Sequence, residues 1–110
     1  MGVLVKNNMI ESMLQNGATK HDVERRLAEI ALGIVGALRR SAISHEDAYD
    51  DLFNLDTFLS LEKHHLSRPM KKLFQWGMEL EDVAEIAPDG MEESYQAIEA
   101  LAGKVLLKVK

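Results

Sequence analysis

Histidine and carboxylate side chains at helical spacing are the residues of this chain with the clearest potential for chemistry. Glu62 and His65 are three residues apart, and two ligands at that spacing on a helix project from the same face. Dinuclear metal sites in four-helix bundles use this pair twice, together with two further glutamates. Neither His21 nor His45 follows a glutamate by three residues, so half of such a site is missing. A metal-dependent protein using Glu62 and His65 is therefore only an alternative, and we predict no cofactor or metal.

The other patterns that could carry chemistry are incomplete. His45-Glu46 lacks the second histidine of a zinc-protease helix, because position 49 is a tyrosine. The acidic run from Glu46 to Asp56 contains no glycine, which a calcium-binding loop needs at its centre. The chain has no cysteine, which excludes thiolate ligands and cysteine nucleophiles. We therefore predict that the protein is not an enzyme.

A dense acidic segment surrounds Pro88 and follows the single tryptophan of the chain. Tryptophan and methionine are favoured at binding surfaces, whereas adjacent carboxylates repel one another unless a basic partner meets them. A solvated acidic face is the first interpretation of such a segment, and an interaction surface is the alternative. The candidate interaction surface consists of Trp76, Met78, Glu79, Glu81, Asp82 and Glu85.

Length and charge narrow the class of protein. The chain of 110 residues, 46% of them hydrophobic, suits one globular domain with a single core. Its formal net charge of −5 opposes binding to nucleic acid or to an anionic membrane, since both depend on lysine and arginine contacts. The sequence shows neither a signal peptide nor the roughly 20 apolar residues of a membrane span. We expect a cytoplasmic domain over residues 1–110, with residues 1–18 as a loosely packed N-terminal segment.

One long helix dominates the elements that must position these residues. It is predicted from Val23 to Leu38 with Thr19 as its N-cap, and residues 30–38 are apolar on every side. A helix that is hydrophobic all round is normally buried, so the others should surround it. Gly33, Gly36 and Ala37 form a small strip that would let another backbone approach closely, either from the same chain or across a dimer seam.

Shorter amphipathic segments supply the neighbours of this helix. They are predicted at Met9–Leu14, from Ser44, at Thr57–His65, from Pro69, and from an Asp89 cap to the C-terminal region. Val3–Val5 and Val105–Val109 also fit a pair of short strands, although continuous helix suits the second segment better. Short connections favour antiparallel neighbours. The predicted fold is an all-α, single-domain bundle of five to six helices around a buried central helix.

The second half of the chain carries a family resemblance. It contains Ile43-Ser44-x-Glu46-x-Ala48, then Leu59-x-Leu61-Glu62-Lys63, then Gly77-Met78-Glu79-Leu80-Glu81-Asp82-Val83, followed by Pro88 and a Glu-rich amphipathic helix. This pattern, over roughly Ile30 to Leu107, resembles a family of small bacterial proteins that is catalogued only as a domain of unknown function. The resemblance implies a bacterial, mostly helical protein and supplies no catalytic residues.

Absence of a chemical motif, together with concentrated negative charge, indicates a function in binding. The main hypothesis is a non-enzymatic, acidic domain that binds another protein in a regulatory or immunity role. Self-association as a homodimer is the first alternative, with the strip at Gly33 or Trp76 at the seam. The metal-dependent protein at Glu62 and His65 is the second.

Overall fold

The regular structure of the chain is helical throughout the part described here. The structure is a computed structural model that describes residues 7–108, with side chains from 9 to 107. The elements are α1 (Asn7–Gln15), α2 (Lys20–Arg39), α3 (His45–Asp51), α4 (Leu55–Lys63), α5 (Arg68–Met78), α6 (Leu80–Ile86), a 3₁₀ turn (Pro88–Gly90) and α7 (Met91–Lys108). The predicted all-α fold is confirmed.

Short polar side chains begin several of the helices, as the sequence predicts. The Thr19 hydroxyl accepts a hydrogen bond from the Asp22 N–H, and the Asp22 carboxylate accepts one from the Thr19 N–H. Ser44 and Asp47 form the same reciprocal capping box at the start of α3, and Pro69 lies in the first turn of α5. Each box satisfies two backbone donors that the first helical turn leaves without partners. The prediction that Asp89 caps the last helix is wrong, because Asp89 lies inside the 3₁₀ turn before α7.

Three helices end in the same motif, in which one residue adopts left-handed backbone conformation. That residue is Gly17 after α1, Ser41 after α2 and His65 after α4, with φ of 95°, 57° and 57°. After α4, the His65 N–H donates to the Glu62 carbonyl and the Leu66 N–H donates to the Leu61 carbonyl, which is the Schellman pattern. His65 therefore lies beyond the helix, and the prediction that Glu62 and His65 share a helix face is wrong.

Helix α7 packs against both α2 and α5. Arg39, at the end of α2, pairs with Glu92 near the start of α7, whereas Lys20, at the start of α2, lines the same cleft as Lys104 near the end of α7. The two helices are therefore antiparallel. Glu29 and Gly33 of α2 are exposed to solvent, so the expectation that α2 is enclosed on every side is wrong.

The second flank of α7 is formed by α5. Pro69, at the start of α5, lines a cleft with Lys104, and Trp76, near its end, lines a groove with Ser94. This helix is therefore also antiparallel to α7, which lies between α2 and α5. Ile98 of α7 is fully buried in that position.

The glycine that permits close packing is Gly77 in α5. A Cβ atom at this position would overlap the ring of Phe53, which itself packs edge-on against Phe74 with 5.6 Å between ring centroids. At Gly33 and Gly36, by contrast, no described heavy atom lies within 4 Å of the corresponding Cβ position, apart from the adjacent residues and the backbone of the same helix. The expectation that these glycines admit a close neighbour from the same chain is therefore wrong.

The N-terminal segment is a packed helix from Asn7 onwards. Ile10 of α1 is fully buried, and the Glu11 carboxylate lies 2.9 Å from the Lys63 ammonium of α4. These contacts attach α1 to the bundle, whereas residues 1–6 of the segment that was expected to be loosely packed lie outside the described residues. Of the alternative strand pair, residues 105–108 are helical, whereas Val3–Val5 and Val109 lie outside the described residues.

Candidate functional site

The amphipathic pattern of α5 sets the position of Trp76. Met70, Leu73, Phe74 and Gly77 recur at helical spacing and are buried, which places Trp76 at the edge of the buried face, where it is half-buried. Lys72 lies one turn earlier, with its Nζ 5.4 Å from the centroid of the indole ring. A cation at that distance from an aromatic face is attracted to it, and this contact orients the ring.

A groove of about 320 Å³ opens beside Trp76, between α5, α6 and the start of α7. Val83 of α6 and Ala97 of α7 give it apolar walls, and Gly90 of the 3₁₀ turn lines it between them. This volume is near the lower limit of small-molecule sites, which begin at about 300 Å³. The groove also fits one or two side chains of a bound polypeptide.

The groove is acidic at its margins. Glu79, at the junction of α5 and α6, and Glu93, in the first turn of α7, line it, and further carboxylates of the same segments are exposed. The acidic patch is defined as Glu79, Asp82, Glu85, Asp89 and Glu93, all exposed. Ile86, one turn beyond Val83 on α6, is 81% exposed and adds an apolar contact among these charges.

Glu92 belongs to the same acidic segment of sequence but has a structural role. Its two carboxylate oxygens accept hydrogen bonds from Arg39 at 3.2 and 2.7 Å, and Arg39 also pairs with Glu99, two turns further along α7. The guanidinium lowers the pKa of Glu92. This carboxylate therefore fastens α2 to α7 and does not contribute to the acidic patch.

The structure divides the predicted interaction surface into three parts. Trp76 and Glu79 line the groove, whereas Met78 and Glu81 border a crevice of about 10 Å³ that α5 and α6 form with α3. Asp82 and Glu85 are exposed on α6.

Sequence reasoning missed the other groove residues, which are Val83, Gly90, Glu93, Ser94 and Ala97. Pro88-Asp89-Gly90 was the signal that could have found them. A tight turn at this point folds α6 back against the first turns of α7 and brings their side chains to one groove.

The residues considered for metal chemistry are dispersed. Glu62 and His65 are both exposed, and no three histidine or acidic residues of the described chain form a group that could hold a metal ion. Partial burial, with Asp47 and Asp50 nearby, raises the pKa of Asp51. Those neighbours disfavour a charged Asp51 and provide no ligand set.

Comparison with known proteins identifies the family of the chain. Residues 18–110 match the family described as "Protein of unknown function (DUF3969)", and the chain belongs to that family. The match includes α2 to α7, and it confirms the resemblance to a family of unknown function. Neither a curated protein nor a solved structure matches the chain. Across residues 7–108, no helix has both the length and the hydropathy that crossing a membrane would require.

Proposed function

We propose that this DUF3969 member is a non-enzymatic binding domain, of regulatory or immunity type, whose groove beside Trp76 takes a basic amphipathic segment of another protein. The observation that supports the proposal is the combination of an apolar groove with an acidic margin. Trp76 and Val83 offer contacts to an apolar side chain, and Glu79 and Glu93 line the same groove.

The chemistry of the groove selects a basic, helical partner. An amphipathic helix anchors one or two apolar side chains in such a groove, and its flanking lysine or arginine residues then meet the acidic patch. Opposite charges across an interface speed association and set its orientation more than they add affinity. A partner with an acidic rim would be repelled by the same carboxylates.

Trp76 gives a direct test, because it is the only tryptophan of the chain. A synthetic amphipathic helix of leucine and lysine should change Trp76 fluorescence in a saturable way, and its affinity should fall as salt is added. The matched control is the same peptide with glutamate in place of lysine. An unchanged emission spectrum, or an equal response to both peptides, would refute the proposal.

Self-association is the second candidate function, and the open side of α2 favours it. Gly33 is exposed, Gly36 and Ala37 are half-buried, and the space beside both glycines is open. A second copy could pack against these glycines without displacing a described side chain. Light scattering should then give twice the protomer mass of 12.4 kDa, and Gly33→Arg should restore the single mass. A monomer at high concentration would exclude this function.

A further inference from the structure

A second cleft, of about 280 Å³, lies at the opposite end of α7 from Trp76. Its lining residues include Lys20 and His21 from the start of α2, His65 from the end of α4 and Lys104 from the end of α7. Four basic side chains from three separate parts of the chain thus meet at one cleft in a protein whose net charge is negative. We propose that this cleft binds the phosphate group of a small organic phosphate.

The basic cleft, named for Lys20, His21, His65 and Lys104, leaves these four side chains available to a ligand. Glu24 is the one carboxylate among its lining residues, and both Glu24 oxygens accept hydrogen bonds from Ser67, one from the backbone N–H and one from the hydroxyl. Among the described residues, the four basic side chains take part in no side-chain hydrogen bond or ion pair with another residue. The cleft therefore presents unused donors, while its carboxylate holds the α4–α5 connection in place.

The type of donor favours phosphate over carboxylate. The planar guanidinium of arginine matches a planar carboxylate with two parallel hydrogen bonds, whereas lysine acts as a point charge on phosphate. No arginine is among the lining residues. Lysine and histidine groups that converge from different elements suit a tetrahedral dianion, and Pro69 and Val105 in the same cleft offer contact to the organic part of the ligand.

The backbone at His65 is a second feature of the cleft. Histidine occupies the left-handed position that glycine fills at the end of α1, and a non-glycine residue there costs on the order of 1 kcal/mol. Ser41 occupies the equivalent position after α2. His65 and Ser41 therefore give a matched comparison. Glycine at either position relieves the same backbone conformation, but only His65→Gly removes a side chain from the cleft.

An NMR titration tests the proposal. The isotopically labelled full chain is titrated with inorganic phosphate and, separately, with phenyl phosphate, both at constant ionic strength. Saturable shifts are expected for the amides of residues 20–21, 65–67 and 104–105, with phenyl phosphate binding more tightly. Shifts that spread over the surface without saturating would overturn the proposal. Equal affinity for the two compounds would overturn the assignment to an organic phosphate.

Variants separate the cleft from general charge and stability effects. His65→Gly and Lys104→Ala should each weaken phosphate binding by about three- to tenfold, as expected for loss of one charge-assisted contact at an exposed site. Ser41→Gly and Arg40→Ala are the matched controls and should leave affinity unchanged, while both glycine variants should raise the melting temperature. Equal affinity in a variant and its control would contradict the site.

The double variant Glu79→Lys with Glu93→Lys should not affect phosphate binding. The test of the basic cleft is therefore independent of the groove beside Trp76.

Discussion

At the scale of single residues, the glycines show where sequence patterns stop being informative. The glycines of α2 lie within an apolar helix, which suggested close packing, but their surroundings are open. Gly77 lies in a less conspicuous position and is the one that Phe53 overlies. Helical periodicity indicates which face of a helix is buried, but it does not indicate which side chain from elsewhere in the chain will cover a given turn.

Substitution by alanine should therefore have opposite effects at the two positions. Gly77→Ala forces the Phe53 ring to move and should destabilise the fold by about 1–3 kcal/mol, the usual cost of overpacking a core. Gly33→Ala adds helix propensity in open space and should stabilise the monomer by about 0.5–1 kcal/mol. Urea unfolding of both variants measures the difference. A neutral Gly77→Ala would contradict the packing described for α5, and an equally destabilising Gly33→Ala would contradict the open surroundings described for α2.

At the scale of elements, the contacts that begin helices were predictable and those that join helices were not. Thr19, Ser44 and Pro69 act within a single turn, so short sequence spacing is enough to find them. Arg39 joins α2 to α7 through Glu92 and Glu99, residues far away in sequence. Short sequence spacing carries no information about such partners, which is why this contact between α2 and α7 was not predicted.

The Arg39 contact should make stability depend on pH. Since Arg39 lowers the pKa of Glu92 below its usual value of 4.5, the pairing stabilises the fold above that value, and this contribution is lost as the pH falls through the lower, folded-state pKa. The melting temperature of Arg39→Gln should lie below that of the native chain at neutral pH, and the gap should narrow as the pH falls below the usual glutamate pKa of 4.5. Glu11→Gln, which removes the separate Lys63 pairing, is the control and should leave the effect of Arg39→Gln unchanged. A gap that stays constant with pH would contradict this role for Glu92.

At the scale of the whole molecule, charge is separated along α7. The groove beside Trp76 and the acidic patch lie at the start of this helix, and the basic cleft lies at its end. The net charge of −5 drew attention to the acidic end but concealed the basic one. Lys20, His65 and Lys104 are scattered through the sequence, and only the antiparallel arrangement of α2 and α5 about α7 brings their segments together.

Charge reversal at the groove tests the central claim most directly. Glu79→Lys with Glu93→Lys and the control Asp50→Lys with Glu62→Lys each raise the net charge by four, and all four positions are exposed. In the Trp76 fluorescence titration with the leucine–lysine peptide, we predict that the groove variant loses binding while the control binds nearly as the native chain does. Equal affinities in the two variants would show that binding depends on overall charge alone and would contradict the groove beside Trp76 as the binding site.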